Sequence, residues 1–184
     1  VNLLPLGDGE LVTNVLPLPE NEEEWHSLNI IFATEQGMVR RNSMDAFTNV
    51  PSNGKYAMGF IEKSGDRLIG VKLLNESQEV FLANDNAKAI RFPAKDARET
   101  KSRTGIGVQG MGPKRGVRVV SLAVLNSTGT TLAERESYLR AAPWKNNEAV
   151  PELSPERMAE MQEKEQFVLT ICENGYGKIS SSFE

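Results

Sequence analysis

Short apolar runs alternate with polar turns along most of the chain, and one such pattern recurs. Residues 32–41 (FATEQGMVRR) and 82–91 (LANDNAKAIR) align without gaps at a spacing of 50 residues. A third copy at 170–179 (TICENGYGKI) puts Gly175 in the place of Gly37. Asn, Asp and Gly are the residues that tight hairpin turns need for positive φ, so the pattern predicts three β-hairpins.

A second pattern of alternating or continuous apolar residues recurs between these hairpins, at 10–18 (ELVTNVLPL), 66–74 (DRLIGVKLL) and 117–125 (VRVVSLAVL). It predicts one further strand in each repeat. A repeat of about 50 residues built of short strands is typical of propeller-like arrays, because one small sheet cannot bury both of its faces. We therefore predict an all-β fold with about three blades, in repeats near 1–60, 61–110 and 111–184.

Helical periodicity occurs only in residues 128–166, where the link between two strands is much longer than in the second repeat. Thr131 and Glu134 have the spacing of a capping box, and this helix is expected to end at Pro143. Ser154 is a predicted N-cap with Pro155 at the first helical position. The sequence thus predicts a short helical insertion, which we interpret as decoration. A docking role for a partner protein is the open alternative.

The bulk composition excludes several kinds of site. The chain has 184 residues, one cysteine and one histidine. This is the length of about one domain, and it leaves too few ligands for a zinc site or a Cys–His nucleophile. Cys172 is expected in a strand as a small buried hydrophobe. No run approaches the roughly 18 apolar residues of a membrane helix, and no signal peptide is evident.

Charge is distributed unevenly, although the formal net charge is only −4. The first 28 residues carry six acids and no Lys or Arg, whereas residues 86–118 carry nine basic residues against two acids. Cations also recur in or beside the hairpins, at Arg40 and Arg41, at Lys88 and Arg91, and at Lys178. We predict that they line one rim and bind a phosphate backbone, which would position DNA without reading its sequence. A merely solvated basic loop is the alternative.

The stretch GIGVQG at residues 105–110 matches a dinucleotide-binding pattern in its glycines alone. The required context of a buried strand before it and a helix after it is missing, and Pro113 follows. We interpret it as a crossover between blades where backbones approach closely. No set of side chains with catalytic spacing is evident, so an enzyme with its own active site ranks last among the hypotheses.

The stretches VNLLPL, DRLIGVKLL, FLANDNAKAIRF, GVRVVSL and ENGYGK resemble the C-terminal domain of DNA gyrase A. The resemblance covers residues 1–125 and 167–184, and it implies a hairpin-invaded β-propeller, or β-pinwheel, whose blades borrow strands from their neighbours. DNA wraps around the basic perimeter of such a domain, which supports negative supercoiling. The family's supercoiling box, a Gln-Arg-Arg-Gly-Gly-like stretch, is not matched, and we expect the chain to start after it. The helical insertion is also not part of the family pattern.

Two alternatives remain beside this resemblance: the related C-terminal domain of the gyrase-A-like polypeptide of topoisomerase IV, and a propeller-type scaffold for protein interactions. The gyrase resemblance implies double-stranded DNA, the rest of gyrase A and gyrase B as partners in a heterotetramer of the bacterial cytoplasm, associated with the nucleoid. The type II topoisomerase reaction, with its ATP and Mg²⁺, is then carried out elsewhere in that enzyme, and we predict no catalytic, cofactor or metal residue here. The predicted DNA-binding residues are Arg40, Arg41, Lys88, Arg91, Lys101, Arg103, Lys114, Arg115 and Lys178.

Overall fold

The computed structural model describes residues 6–61, 63–141 and 152–184. The chain divides into two compact units, Val1–Val124 and Leu125–Glu184. The fold of these residues is mostly sheet with two α-helices, as predicted. The strands are β1 (Asn29–Thr34), β2 (Met38–Ser43), β3 (Leu68–Leu74), β4 (Gln78–Asn84), β5 (Ala89–Pro93), β6 (Val108–Gln109), β7 (Val119–Asn126), β8 (Phe167–Ile171) and β9 (Gly177–Ser181), and the helices are α1 (Leu132–Ala141) and α2 (Pro155–Lys164).

The three predicted hairpins, β1–β2, β4–β5 and β8–β9, share one register. In each hairpin the pairing closest to the turn joins residues six positions apart: Ala33 with Val39, Ala83 with Ala89, and Ile171 with Gly177.

The hairpin turns also share one backbone conformation. φ is 80° at Gly37, 54° at Ala87 and 82° at Gly175. Each of these residues donates its N–H to the carbonyl three positions earlier, at 2.9, 3.2 and 2.9 Å. The predicted positive φ is thus confirmed at Gly37 and Gly175. In the second hairpin it falls on Ala87 and not on the Asn or Asp residues of that turn, at a steric cost that Gly avoids.

Each of the first two hairpins is extended by a strand from the following repeat. The first sheet has the order β3-β1-β2-β6 and the second has the order β5-β4-β7. β3 and β7 were both predicted as strands, and they pair with the hairpin that precedes them. This is the strand borrowing that the resemblance implies.

The strand predicted at residues 10–18 is wrong. This stretch has no strand, and Leu11 and Val15 are 82% and 80% exposed. Its counterparts β3 and β7 are held by an earlier hairpin, and residues 6–28 contain no hairpin that could pair with it. An apolar pattern without a pairing partner does not form a strand, because its backbone groups then remain bonded to water.

The two sheets of the first unit pack face to face. Ile31 and Val39 of the first sheet lie in one core with Val80 and Leu82 of the second, and all four are fully buried. The approach is close at Gly70 on β3, where an added Cβ would lie only 2.9 Å from the Leu122 side chain. Stacking of neighbouring sheets buries the apolar faces that a single small sheet would leave exposed.

The opposite face of the first sheet has its own cover. Ile30 and Phe32 lie in a second core with Met44 and Met58, and Trp25 from the acidic N-terminal segment packs against it. The Trp25 indole N–H donates to the carbonyl of Pro19 at 2.9 Å. Both faces of the β1–β2 hairpin are therefore covered.

The helical insertion has the predicted caps. The Thr131 N–H donates to the Glu134 carboxylate at 2.7 Å, and the Glu134 N–H donates to the Thr131 hydroxyl at 3.2 Å. Ser154 accepts from the N–H of Arg157 at 3.2 Å. These reciprocal bonds satisfy donors that the first helical turn leaves free. The expected end of α1 at Pro143 lies outside the described residues.

The same hydrogen bond closes the link between two strands in the second repeat and across the helical insertion, although the second link is much longer. In the second repeat the Asn75 N–H donates to Gln78 Oε1 at 2.9 Å. Across the insertion, the Asn126 N–H donates to Gln166 Oε1 at 2.6 Å. α1 and α2 share a core of Tyr138, Met161 and Phe183. The second unit therefore keeps the repeat's closing geometry while adding a helical pair.

Cys172 does not occupy a buried strand position, so that prediction is wrong. Cys172 is exposed and follows the last residue of β8. Its carbonyl accepts the turn bond from the Gly175 N–H at 2.9 Å. Within the described part of the chain, no helix has the length and apolar character needed to cross a bilayer.

Candidate nucleic-acid interface

A strongly basic segment runs along the edge of the first sheet. We call residues 97–118 the basic crossover. The Thr100 N–H donates to the Arg41 carbonyl at 2.8 Å, β6 pairs antiparallel with β2, and the Gly110 N–H donates to the Gly37 carbonyl at 2.9 Å. The crossover therefore follows β2 from its open end to its turn.

Glycines permit this close approach, which confirms the interpretation of GIGVQG as a crossover. Gly107 has a φ of 86°, and a Cβ there would overlap the carbonyl of Val39. A Cβ at Gly110 would lie 2.8 Å from a Val39 methyl group. Backbone packing accounts for glycine at these two positions.

The crossover ends beside the turn of the second hairpin. Two hydrogen bonds join Asp85 and Arg118 in opposite directions: the Arg118 N–H donates to the side-chain Oδ1 of Asp85 at 3.0 Å, and the Asp85 N–H donates to the Arg118 carbonyl at 2.9 Å. Asp85 also pairs with the Arg118 guanidinium at 3.4 Å. The turn at residues 84–88 therefore adjoins residues 114–118, and these two segments carry Lys88, Lys114 and Arg115, all of them exposed.

The charge of this surface is strongly one-sided. The crossover carries six cations, and Glu99 is its only acid. Among the described residues, no carboxylate lies within ion-pair distance of Lys88, Lys101, Lys114 or Arg115. Cations without a local counter-charge produce a positive field that attracts polyanions.

Arg40, a predicted DNA-binding residue, does not lie on an exposed rim as expected. It is 1% exposed, and its guanidinium lies 4.8 Å from the centre of the Phe32 ring. It donates to the carbonyls of Arg103, Gly105 and Ala57. Burial lowers the pKa of Arg40 from its ordinary value because desolvation disfavours the charged form.

Arg41 is also buried, at 4% exposure, and the same correction applies to it. Its Nε donates to the Ala97 carbonyl at 2.8 Å, and its Nη1 pairs with Glu76 at 3.0 Å. The two adjacent arginines point to opposite faces of β2, as successive strand residues do. Because both faces are covered, both guanidiniums donate to carbonyls of the protein itself, and that of Arg41 also pairs with Glu76.

Arg91 is a third predicted contact that the structure places differently. Its side chain is 14% exposed and pairs with Glu79, which is 17% exposed. Arg103 is half-buried, and its Nη1 is enclosed without a hydrogen-bond partner. Lys101 is exposed on the crossover.

Lys178, in the second unit, is 73% exposed and pairs with Glu184 at 3.1 Å. Its position in β9 matches that of Arg40 in β2, as predicted. A single common rim for all three hairpins stays a prediction.

Sequence reasoning counted Arg118 among the basic residues but missed its bond to Asp85. The two residues are 33 positions apart, and no local pattern joins them. Asp85 follows Asn84 in a turn, and this is the available signal, since Asp and Asn in turns commonly accept backbone bonds.

Among the described residues, no group of three or more His, Cys, Asp or Glu side chains is placed to hold a metal ion.

Three hairpins of one register, of which the first two pack face to face and are each extended by a strand from the following repeat, define a blade-repeat protein of the β-propeller type. The chain matches the family described as "DNA gyrase C-terminal domain, beta-propeller" over residues 28–75 and 78–126. These two stretches make up more than half of the chain, which belongs to this family.

The sequence is 40% identical to the DNA gyrase A protein of Rickettsia bellii over 194 aligned positions, which cover 100% of this chain and 21% of the relative. The chain thus spans about a fifth of the length of this relative. The DNA gyrase A protein of Granulibacter bethesdensis is 38% identical, again over 100% of this chain and 22% of the relative.

A solved structure shares the fold at lower identity. The crystal structure of the C-terminal domain of DNA topoisomerase IV has a TM-score of 0.59 at 22% identity, covering 68% of this chain and 38% of the solved chain. At this identity the likeness supports the β-pinwheel architecture alone.

Proposed function

We propose that the chain binds duplex DNA without sequence preference and wraps it along the basic crossover, as the C-terminal module of a DNA gyrase A protein. The observation that carries this proposal is the group Lys88, Lys101, Lys114 and Arg115, which is exposed and has no carboxylate partner among the described residues. Identity of 40% to a gyrase A protein supports gyrase over topoisomerase IV, whose domain has a similar fold.

The physical basis of binding is phosphate neutralisation. Lysine and arginine side chains release counterions from DNA when they contact phosphates, and this release supplies most of sequence-independent affinity. Aromatic residues are not interleaved with these cations, so base stacking contributes little and duplex DNA is favoured over single strands.

In the whole enzyme this module would work with the rest of gyrase A and with gyrase B in the bacterial cytoplasm, associated with the nucleoid. A chiral wrap presents one segment of DNA to another with a defined sign of crossing, and strand passage then introduces negative supercoils. ATP and Mg²⁺ serve the parts of the enzyme that cleave and pass DNA, so this module contributes geometry and affinity.

The salt dependence of DNA binding tests the proposal. Arg40, Arg41 and Arg91 are largely buried and are left out of the predicted contacts. Six predicted contacts remain: Lys88, Lys101, Arg103, Lys114, Arg115 and Lys178. If all six engage phosphates, the slope of log affinity against log salt is about −5. The triple variant Lys88→Ala, Lys114→Ala, Arg115→Ala should make that slope shallower by about 3.

A matched control removes the same charge elsewhere. The triple variant Lys55→Ala, Arg140→Ala, Lys164→Ala should keep most of the wild-type slope, because these side chains lie outside the crossover and the adjoining turn. If the salt slope became equally shallow in the two triple variants, the change would reflect net charge alone, and this would contradict the proposed binding surface. A flat salt response of the unmodified chain would contradict DNA binding itself.

A further inference from the structure

The central strand β2 directs side-chain donors at the backbone of the crossover. Arg40 donates through Nη1 to the carbonyls of Arg103 and Gly105, the latter at 2.9 Å, and through Nη2 to the carbonyl of Ala57. One planar guanidinium therefore ties three carbonyls from two separate segments. A guanidinium suits this role because its N–H groups form a rigid fork with several donors.

Asn42 extends this arrangement on the same face of β2. It is fully buried, and its Nδ2 donates to the carbonyls of Thr100 and Ser102, the latter at 3.3 Å. From the other face, Arg41 donates to the Ala97 carbonyl at 2.8 Å. Three consecutive residues of one strand thus hold the first third of the crossover by its main chain.

Burying the Arg40 guanidinium costs free energy, which indicates that this arginine has a specific role. A charged group without a carboxylate partner is expensive to bury, and a well-packed apolar side chain would fill the same space without that penalty. Arg40 has the Phe32 ring and three carbonyls as its partners, and its Nε has none. What the arginine provides and an apolar residue cannot provide is a fixed path for residues 103–105.

That path includes side chains proposed to contact DNA. The carbonyls of Thr100, Ser102 and Arg103 are turned towards β2, while Lys101 between them is exposed. Holding the backbone in advance removes the ordering cost that a mobile loop would incur on binding a phosphate.

We propose that Arg40 and Asn42 are positioning residues that hold the crossover so that Lys101 and Arg103 meet the DNA backbone. This inference rests on the proposed DNA-binding function. It replaces direct phosphate contact by Arg40 with an indirect role through the crossover.

A double-mutant cycle in the whole 184-residue chain tests it. Arg40→Met keeps an extended apolar side chain and removes every donor. It should weaken binding to a random-sequence duplex about tenfold in the wild-type background and make the salt slope shallower by about 2, the loss of two phosphate contacts. In the Lys101→Ala, Arg103→Ala background the same substitution should change affinity less than about twofold, because positions that act through one another are not additive.

Equal losses in the two backgrounds would overturn the positioning role, as would unchanged affinity in a folded Arg40→Met protein. Circular dichroism establishes folding, and Arg157→Met is the control for loss of a hydrogen-bonded arginine in the helical pair. If Arg40→Met does not fold, Asn42→Ala takes its place in the same cycle, since it removes only the bonds to Thr100 and Ser102.

The two proposals fail in different ways. If the unmodified chain shows no salt-dependent binding, the proposed function is wrong. If the chain binds and the Lys88, Lys114 and Arg115 triple variant loses affinity while the Arg40 cycle is additive, only the positioning role is wrong.

Discussion

Arg40 and Lys178 occupy the same position in two hairpins of identical register. Arg40 pairs with Phe32 across β1–β2, and Lys178 pairs with Thr170 across β8–β9. Arg40 is 1% exposed, whereas the Lys178 side chain is 73% exposed. The difference arises because residues 57 and 103–105 cover Arg40. Equivalent strand positions in two repeats therefore differ in burial, because different segments pack over them.

This pair gives a first prediction about stability. Lys178→Ala should change the free energy of unfolding by less than about 0.5 kcal/mol, as is usual at exposed positions. Arg40→Met should cost about 3 kcal/mol, because it leaves buried carbonyls without donors. Urea unfolding followed by circular dichroism measures both values, and similar costs for the two variants would contradict the burial of Arg40.

The turn glycines give a second prediction. Gly37 and Gly175 have φ of 80° and 82°, so an alanine at either position is strained by about 1 kcal/mol. A Cβ at Gly37 would also overlap the Met111 carbonyl, whereas nothing lies within 4 Å of a Cβ at Gly175. Gly37→Ala should therefore lower the melting temperature more than Gly175→Ala does. Equal shifts would show that backbone strain acts alone.

The helical pair predicts a response to acid. The Arg157 guanidinium, followed by the Thr131 N–H and hydroxyl, lowers the pKa of Glu134 to about 2 from 4.5. A lowered pKa stabilises the fold above the ordinary value, and this contribution is lost as the pH falls from 4.5 towards 2. Helical ellipticity of the wild-type chain should therefore decline over this range.

The matched variant Glu134→Gln removes this titrating group and keeps the shape of its side chain. It should start with lower stability near neutral pH and lose less of it on acidification. Hydrogen bonds to Glu160 from Lys164 and then Arg157 also lower the pKa of that carboxyl, so some acid response should remain. An acid profile identical to that of the wild type would contradict the role of the Glu134–Arg157 pair.

Tyr138 gives a fourth prediction. Its hydroxyl donates to Glu165 at 3.0 Å, and its ring meets Phe183 edge to face at a centroid distance of 5.0 Å. Burial, and then the Glu165 carboxylate, raise the pKa of Tyr138. Tyr138→Phe should cost about 1 kcal/mol through the lost hydrogen bond.

Tyr138→Ala should cost about 3–5 kcal/mol, because it also opens a cavity between the helices and β9. Thermal unfolding of the two variants separates these contributions. A Phe variant as unstable as the Ala variant would assign the whole effect to the hydroxyl group and contradict ring packing as the larger contribution.

A fifth prediction concerns the proposed enzyme. Gyrase assembled with the Lys88→Ala, Lys114→Ala, Arg115→Ala variant should introduce negative supercoils at least about tenfold more slowly at physiological salt, because phosphate contacts are lost. DNA cleavage, which takes place elsewhere in the enzyme, should persist. A plasmid supercoiling assay and a cleavage assay on the same preparation measure the two activities.

The hairpins could be read from the sequence because their information is local. Turn residues such as Gly37 and Gly175 fix the register, and alternating apolar positions then place the strands on either side. The caps of the helical pair also depend on residues only a few positions apart, such as Thr131 and Glu134, so they could be predicted from the sequence.

The roles of the arginines could not be read in the same way. Periodicity places Arg40 and Arg41 on opposite faces of β2, but their covers come from residues 57 and 97–105, distant in sequence. The apolar pattern at residues 10–18 failed for a related reason, since a strand needs a partner as well as a composition. The prediction for Cys172 failed because a strand end cannot be placed to within one residue from the sequence. β8 ends at Ile171, and Cys172 lies in the exposed turn that follows.

The crossover is held through main-chain oxygens, which every amino acid supplies alike. Substitutions at the exposed positions of residues 100–105 can therefore alter the local charge while the path of this segment stays the same. In evolution, the surface charge of such a blade can change one side chain at a time while the strands beneath it stay the same.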